Sequence, residues 1–180
     1  MGKKVLVIST SLRQNANSEI LAHETERGAR DAGHEVEFVS LKDKEIKFCK
    51  GCLACQKLGK CVINDDANEI TAKMKEADVI VWATPIYYYE MSGQMKTLID
   101  RANSLFATGK NFSETYVITT SADASKGVVQ TVLNGIKGWI ACFSGLELKG
   151  WLEAGGLEGP NEAQERKDLL EQAYNMGKNI

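Results

Sequence analysis

Four of the five cysteines lie within thirteen residues, as Cys49, Cys52, Cys55 and Cys61. Thiolates two residues apart can reach three corners of an iron-sulfur cubane, and a fourth a few residues later can reach the last corner, as in compact ferredoxin-type [4Fe-4S] loops. Structural zinc usually takes two separated ligand pairs, so the crowded spacing favours iron-sulfur over zinc if a metal binds. The spacing permits a cluster without proving it.

A second polar segment, residues 9–18, reads Ser-Thr-Ser-Leu-Arg-Gln-Asn-Ala-Asn-Ser and precedes a helical pattern. Hydroxyls, amides and one arginine at a helix N-terminus can bind a phosphate group. The same residues can also form a plain turn with an N-cap at Asn17 or Ser18, and both interpretations stay open. The fingerprints G-x-x-x-x-G-K-[ST] and G-x-G-x-x-G are absent, which argues against a P-loop NTPase or a Rossmann dinucleotide fold.

The elements that must position these residues alternate between strand and helix along the chain. Continuous apolar runs, typical of strands buried in a parallel sheet, occupy residues 4–8, 36–41, 79–83, 116–119 and 146–152. Helical stripes lie at 21–32, 67–74, 95–102, 129–143 and 163–177. We therefore predict one doubly wound α/β domain over residues 1–180. Ligands of such sheets bind beyond the carboxyl ends of the strands, in loops 9–18, 84–92 and 119–127.

Three residues outside these loops receive structural interpretations. Asp65 and Asp66 precede the second helical stripe, and Asp66 stands three residues before Glu69 in a capping-box arrangement, so we assign the two aspartates to helix capping. Cys142 falls on the apolar side of the fourth stripe, which predicts a core position.

Two motifs resemble those of the flavodoxin-like NAD(P)H-dependent FMN reductases. The segment 9–18 is similar to the phosphate loop G-S-x-R-x-x-x-N-[ST] of that family, with Thr10 in place of the usual glycine. Residues 84–96 resemble its [ST]-P-x-Y…[SP]-G-x-[LM]-K segment, and the likeness continues to Arg101. The resemblance implies a five-stranded parallel sheet of order 2-1-3-4-5 with helices on both faces. It also implies that FMN contacts Ser9, Ser11, Arg13, Asn17, Ser18, Thr84, Pro85, Ile86, Tyr87, Tyr88, Thr119, Thr120 and Ser121.

The resemblance implies an FMN-dependent oxidoreductase that passes hydride from NAD(P)H through FMN to a small acceptor such as a flavin or quinone, or to a protein. No dedicated acid, base or nucleophile is needed, because the cofactor carries the chemistry. The cysteine segment is similar to the compact motif of iron-sulfur flavoproteins, which implies an electron carrier with a [4Fe-4S] cluster on Cys49, Cys52, Cys55 and Cys61. Cluster-free reductases of the family carry similar segments, so both alternatives stay open. A third alternative is a non-catalytic flavin-binding domain.

Composition limits the partners. A formal charge of -2 gives no cationic surface for nucleic acid, and the longest apolar run is far shorter than a membrane span. We therefore expect a cytoplasmic protein with no nucleic-acid or membrane partner. The open flavin edge of so small a domain and its three consecutive tyrosines favour a homodimer or homotetramer.

Overall fold

The computed structural model describes residues 2–180, which form six strands and seven α-helices. The strands are β1 (Lys4–Ser9), β2 (Glu35–Ser40), β3 (Val79–Tyr87), β4 (Glu90–Met91), β5 (Glu114–Thr120) and β6 (Glu147–Ala154). The helices are α1 (Asn17–Asp31), α2 (Ala54–Leu58), α3 (Ala67–Glu76), α4 (Gly93–Arg101), α5 (Ser104–Thr108), α6 (Gln130–Ile140) and α7 (Lys167–Lys178), with a short 3₁₀ helix at Glu162–Glu165.

Five of the strands are parallel and lie in the order β2-β1-β3-β5-β6. This order matches the predicted 2-1-3-4-5 arrangement, in which the fourth and fifth strands are β5 and β6. The structure adds one short strand, β4, which pairs antiparallel with the end of β3. The flavodoxin-like class is therefore confirmed, and the count of strands was one too low. The sequence signal for β4 was weak because only two residues form it.

Both faces of the sheet are covered, as continuous apolar runs require. Along β1 the side chains alternate: Leu6 and Ile8 join a core that includes the buried faces of α3, α4 and α6, while Val5 and Val7 join one that includes α1 and α7. Helices α1 and α7 can pack closely because Gly28 has no side chain at their contact. A Cβ there would lie only 2.0 Å from the carbonyl oxygen of Tyr174.

Some local predictions were wrong. Asp66 makes no side-chain capping bond at α3, because its Oδ2 accepts the Glu45 backbone N–H at 2.7 Å instead. Cys142 is exposed, since it follows the end of α6 and leaves the apolar stripe. Helices α2 and α5 were not predicted, because five residues each give too short a periodic pattern. Within residues 2–180, no helix has the length and apolar content needed to span a membrane.

Candidate functional site

The strand register brings the three predicted loops together at one edge of the sheet. Ser9, the last residue of β1, lies opposite Ala83, while Thr84 and Pro85 lie opposite Thr119 and Thr120. A pocket of about 200 Å³ opens beyond these strand ends. Its lining consists of Ser11, Arg13, Ala16, Asn17, Ser18, Pro85, Ile86, Tyr87, Thr120, Ser121, Ala122, Leu157 and Glu158.

Nine of the thirteen residues assigned to FMN by resemblance line this pocket, and four do not. Ser9, Thr84 and Thr119 are buried at the strand ends without lining it, and Tyr88 is fully exposed. The assignment of these residues to FMN stays a prediction. Leu157 and Glu158 lie in a segment that the motifs did not include, and no periodic signal in the sequence would have placed it at the pocket.

The phosphate end of the pocket carries donors that the protein does not use. The Ser18 hydroxyl lines the pocket, is buried and has no hydrogen-bond partner within residues 2–180. The Ser9 hydroxyl is also unpartnered within these residues, but it lies at the end of β1 and does not line the pocket. Helix α1 has Ala16 as its N-cap, not Asn17 or Ser18, so no side chain caps its first amides. A bound phosphate would accept hydrogen bonds from such groups and gain from the positive end of the helix dipole. The pocket therefore fits the phosphate of FMN.

Arg13 and Asn17 also hold the chain segment that closes this end of the pocket. Arg13 donates from Nη1 to the carbonyl oxygen of Glu158 at 2.8 Å. Asn17 donates from Nδ2 to the Gly159 carbonyl oxygen at 2.7 Å and accepts the Ala163 backbone N–H at 3.0 Å. The amide of Asn17 thus positions the pocket wall, a role that its motif did not indicate.

The side expected to support the flavin ring is a hairpin with an unusual turn. Tyr88 and Tyr89, between β3 and β4, have positive φ angles of 50° and 63°, as in the type I′ turns that match the twist of paired strands. The Tyr89 hydroxyl donates to Asp123 Oδ2 at 3.2 Å, and the Thr131 hydroxyl donates to the Tyr89 carbonyl oxygen. These contacts hold the hairpin while Tyr88 projects into solvent.

The four clustered cysteines line a second cavity of about 40 Å³. Cys55 is buried, Cys61 is half-buried, and Cys49 and Cys52 are exposed. Within residues 2–180, no three His, Cys, Asp or Glu side chains are grouped closely enough to bind a single metal ion. A cubane distributes its four cysteine ligands over four irons, so its thiolates need not converge as the ligands of one ion do. Four thiols around one cavity fit that donor set.

An ion pair fixes the cysteine loop to α4. Arg101 donates to both carboxylate oxygens of Asp65, at 2.6 and 2.8 Å, and to the carbonyl oxygens of Lys47 and Ile63 at 2.7 and 3.1 Å. The Arg101 and Asp65 side chains are 0% and 1% exposed. Burial acts to raise the pKa of Asp65, but its hydrogen bonds from Arg101 and from the backbone outweigh burial and lower the pKa. Asp65 also accepts the Ala67 backbone N–H, so the predicted capping role is only part of its function.

Several N–H donors border the cysteine sulfurs. The Gly51 backbone N–H donates to Cys49 Sγ at 3.4 Å, and Asn103 Nδ2 donates to Cys55 Sγ at 3.4 Å. Arg101 also lines the cavity, and its buried Nε has no hydrogen-bond partner within residues 2–180. Hydrogen bonds to cluster sulfurs are common in iron-sulfur proteins, so these surroundings also fit a cluster.

The sequence profile of the NADPH-dependent FMN reductases matches residues 3–146, four fifths of the chain and both pocket motifs. The chain belongs to this family. Among curated relatives, an iron-sulfur flavoprotein of Methanocaldococcus jannaschii is 45% identical over 102 residues, which are 57% of this chain and 53% of the relative. An iron-sulfur flavoprotein of Methanosarcina thermophila is 37% identical over 110 residues, 61% of this chain and 56% of the relative. The chain spans about half the length of the curated relatives it matches.

Solved structures agree with the fold of this FMN reductase family member. An NAD(P)H:quinone oxidoreductase from Methanothermobacter marburgensis superposes with a TM-score of 0.76, covering 99% of this chain and 97% of that protein. Its sequence is 15% identical, so the likeness concerns the fold alone.

Proposed function

We propose that the chain is an FMN-dependent oxidoreductase that takes hydride from NAD(P)H and passes the electrons to a small molecule or a protein. The observation that carries this proposal is the pocket at the sheet edge, where the Ser18 hydroxyl, which has no partner in the part of the chain that the structure describes, meets the uncapped start of α1. Bound FMN would supply both hydride acceptance and electron transfer. Quinone, free flavin and similar acceptors fit such an open site equally well.

The protein's own contribution is to anchor and orient the cofactor. Ser11 and Ser18 offer hydroxyls at the phosphate end, and Arg13 adds a positive charge there. Pro85 fixes the backbone at the last position where β3 pairs with β5, and Ile86 and Tyr87 would give an apolar wall for the ring of bound FMN. No side chain is required to transfer a proton, because the cofactor carries the chemistry.

A second form of this function is an iron-sulfur flavoprotein. It is favoured by the single cavity that Cys49, Cys52, Cys55 and Cys61 line, and by the N–H groups directed at their sulfurs. The matched relatives carry the name iron-sulfur flavoprotein. A cluster held there would exchange single electrons with FMN.

Helix α4 connects the two sites. Its first turn adjoins the flavin loop, since the Ser92 backbone N–H donates to Thr84 Oγ1 at 3.0 Å, and its last residue, Arg101, lines the cysteine cavity. Nine residues of helix span about 13 Å. The same rigid element therefore positions both sites.

The proposed function predicts that loss of one cavity cysteine removes iron and leaves the flavin bound. Cys52→Ser removes one of the four cavity thiols, and we expect anaerobically purified variant protein to lose most of the roughly four irons per chain expected for a [4Fe-4S] protein. Cys142→Ser is the matched control, because Cys142 is also exposed but lies outside the cavity. Iron and sulfide analysis with absorption spectra, before and after chelator and nicotinamide addition, measures both cofactors.

The spectra and the iron content together distinguish the simple reductase from the iron-sulfur flavoprotein and from a non-catalytic flavin-binding domain. We expect wild-type protein to show a flavin spectrum that NADH or NADPH bleaches, and both serine variants to keep it. Flavin without iron in the wild type would favour the simple reductase. Bound FMN that neither nicotinamide reduces would contradict the reductase activity, and failure to bind added FMN would contradict the function altogether.

We also propose a homodimer or homotetramer. Phe48, Tyr87 and Tyr88 are exposed, with 79%, 50% and 102% of their surfaces accessible, and stand near the two candidate sites. Aromatic side chains are enriched at protein–protein interfaces, so exposed ones favour association. Light scattering of FMN-loaded protein is expected to give at least twice the 19.8 kDa chain mass, and a monomer with full FMN occupancy would contradict this.

A further inference from the structure

We infer that Asn103 and Arg101 donate N–H groups to the sulfur atoms around the cysteine cavity and favour the reduced form of a cluster bound there. This inference rests on the proposed iron-sulfur function. In this inference, two side chains outside the cysteine motif raise the reduction potential of the cluster.

Asn103 makes its contact from the turn between α4 and α5. Its Nδ2 donates to Cys55 Sγ at 3.4 Å, and Cys55 is the cysteine of the four whose side chain is buried. Sulfur accepts hydrogen bonds at longer distances than oxygen, so this contact is a real hydrogen bond. A thiolate ligand at Cys55 would receive the same N–H group, with charge assistance that the neutral thiol lacks.

Arg101 has one donor left after its structural contacts. Its Nη1 and Nη2 groups bind Asp65 and the carbonyl oxygens of Lys47 and Ile63, and among residues 2–180 its Nε–H has no partner. Arg101 is 2% exposed, so water does not readily satisfy this group. A buried donor without an acceptor is costly, and a sulfur atom in the cavity that Arg101 lines would relieve that cost.

Reduction of a cluster adds one electron and no proton, so negative charge on its sulfur atoms increases. N–H groups already directed at those atoms stabilise the added charge. Reduced FMN would supply the electron, and a hydride from NAD(P)H would return oxidised FMN to its reduced form. The electron pair of one hydride would reduce two clusters in turn, and the flavin would release one proton to solvent. Asp65 neutralises the charge of Arg101, so the donor groups and not a net positive charge would raise the potential.

Asn103→Leu tests the inference, because leucine has a similar volume and no N–H. We expect unchanged iron and sulfide content and a lower cluster midpoint potential in a spectroelectrochemical titration of the holoprotein. A tenfold change in the redox equilibrium is a shift of about 59 mV for a one-electron couple, and we expect at least that change. Arg101→Lys, which has no Nε–H, is expected to shift the potential in the same direction.

Asn68→Leu is the matched control. Asn68 binds the same loop through backbone groups, accepting the Cys61 N–H at 3.2 Å and donating to the carbonyl oxygens of Cys61 and Ile63. Because it makes no hydrogen bond to sulfur, we expect its variant to lose iron while the retained clusters keep the wild-type midpoint.

Three results would overturn the inference. Asn103→Leu with full iron and an unchanged midpoint shows that the amide does not affect the potential, and loss of iron from this variant shows a purely structural role. Wild-type protein without iron contradicts the proposed iron-sulfur function itself, and the inference fails with it. If Arg101→Lys does not fold, Asn103→Leu alone decides.

Discussion

Arg101→Met is expected to destabilise the protein by about 3–5 kcal/mol, because it leaves the Asp65 carboxylate buried without its counter-charge. The carbonyl oxygens of Lys47 and Ile63 lose their donor as well. The double variant Arg101→Met with Asp65→Asn removes both charges and keeps an acceptor for the backbone of Lys47. We therefore expect it to be more stable than Arg101→Met alone.

Urea unfolding of the apoprotein measures these effects, since bound cofactors would add their own stabilisation. Arg166→Met is the matched control, because Arg166 forms the same kind of pair with Asp168 but the two side chains are 42% and 56% exposed. Such exposed pairs contribute at most about 1 kcal/mol. Equal costs for Arg101→Met and Arg166→Met would refute the claim that the buried pair holds the cysteine loop in place.

The cost of Arg101→Met should also depend on pH. Because the pKa of Asp65 in the folded protein lies below its ordinary value of 3.8, its ionised form stabilises the wild type above that value, and this contribution is lost as pH falls through the lowered pKa. Without Arg101, burial favours the protonated acid, so the variant gains stability as pH falls. The difference between the two proteins is therefore expected to be largest near neutral pH and to shrink in acid.

The sequence was sufficient to predict the sheet because the signals for it are local. Apolar runs such as Val79 to Ala83 predict strands covered on both faces, and the order of strands follows from the fold class that the loop motifs indicate. The hairpin after β3 lacked such a signal, since two tyrosines occupy a positive-φ turn that usually contains glycine or asparagine.

Long-range partners explain what the sequence did not predict. Asp65 was interpreted as a helix cap from its neighbours, but its main partner, Arg101, lies 36 residues away. Asn17 matched a phosphate motif, yet its amide binds Gly159 and Ala163, more than 140 residues further along the chain. Periodicity and spacing describe neighbours in sequence, so they cannot show which distant backbone groups will satisfy a buried polar side chain.

Ser18→Asp is expected to weaken FMN binding by about 100-fold, or about 2.7 kcal/mol. Its carboxylate would occupy the phosphate end of the pocket and repel the phosphate group. Ser18 is buried, so the new charge costs stability, and the positive end of the α1 dipole offsets part of that cost. The thermal midpoint of the variant measures the remaining loss and checks that it folds. Titration of the apoprotein, followed by flavin fluorescence, gives the affinity.

Riboflavin and a second aspartate variant make this test specific to the phosphate. Riboflavin has no phosphate group, so Ser18→Asp should change its affinity far less than that of FMN. Ser113→Asp adds the same charge at an exposed position that does not line the pocket, and it should bind FMN as the wild type does. Equal losses for both flavins would indicate general damage to the pocket, and unchanged FMN binding would show that the phosphate does not lie at the start of α1. A loss confined to FMN would place the phosphate near Ser18, at the end of the pocket where its hydroxyl has no partner within residues 2–180 and no side chain caps the first amides of α1.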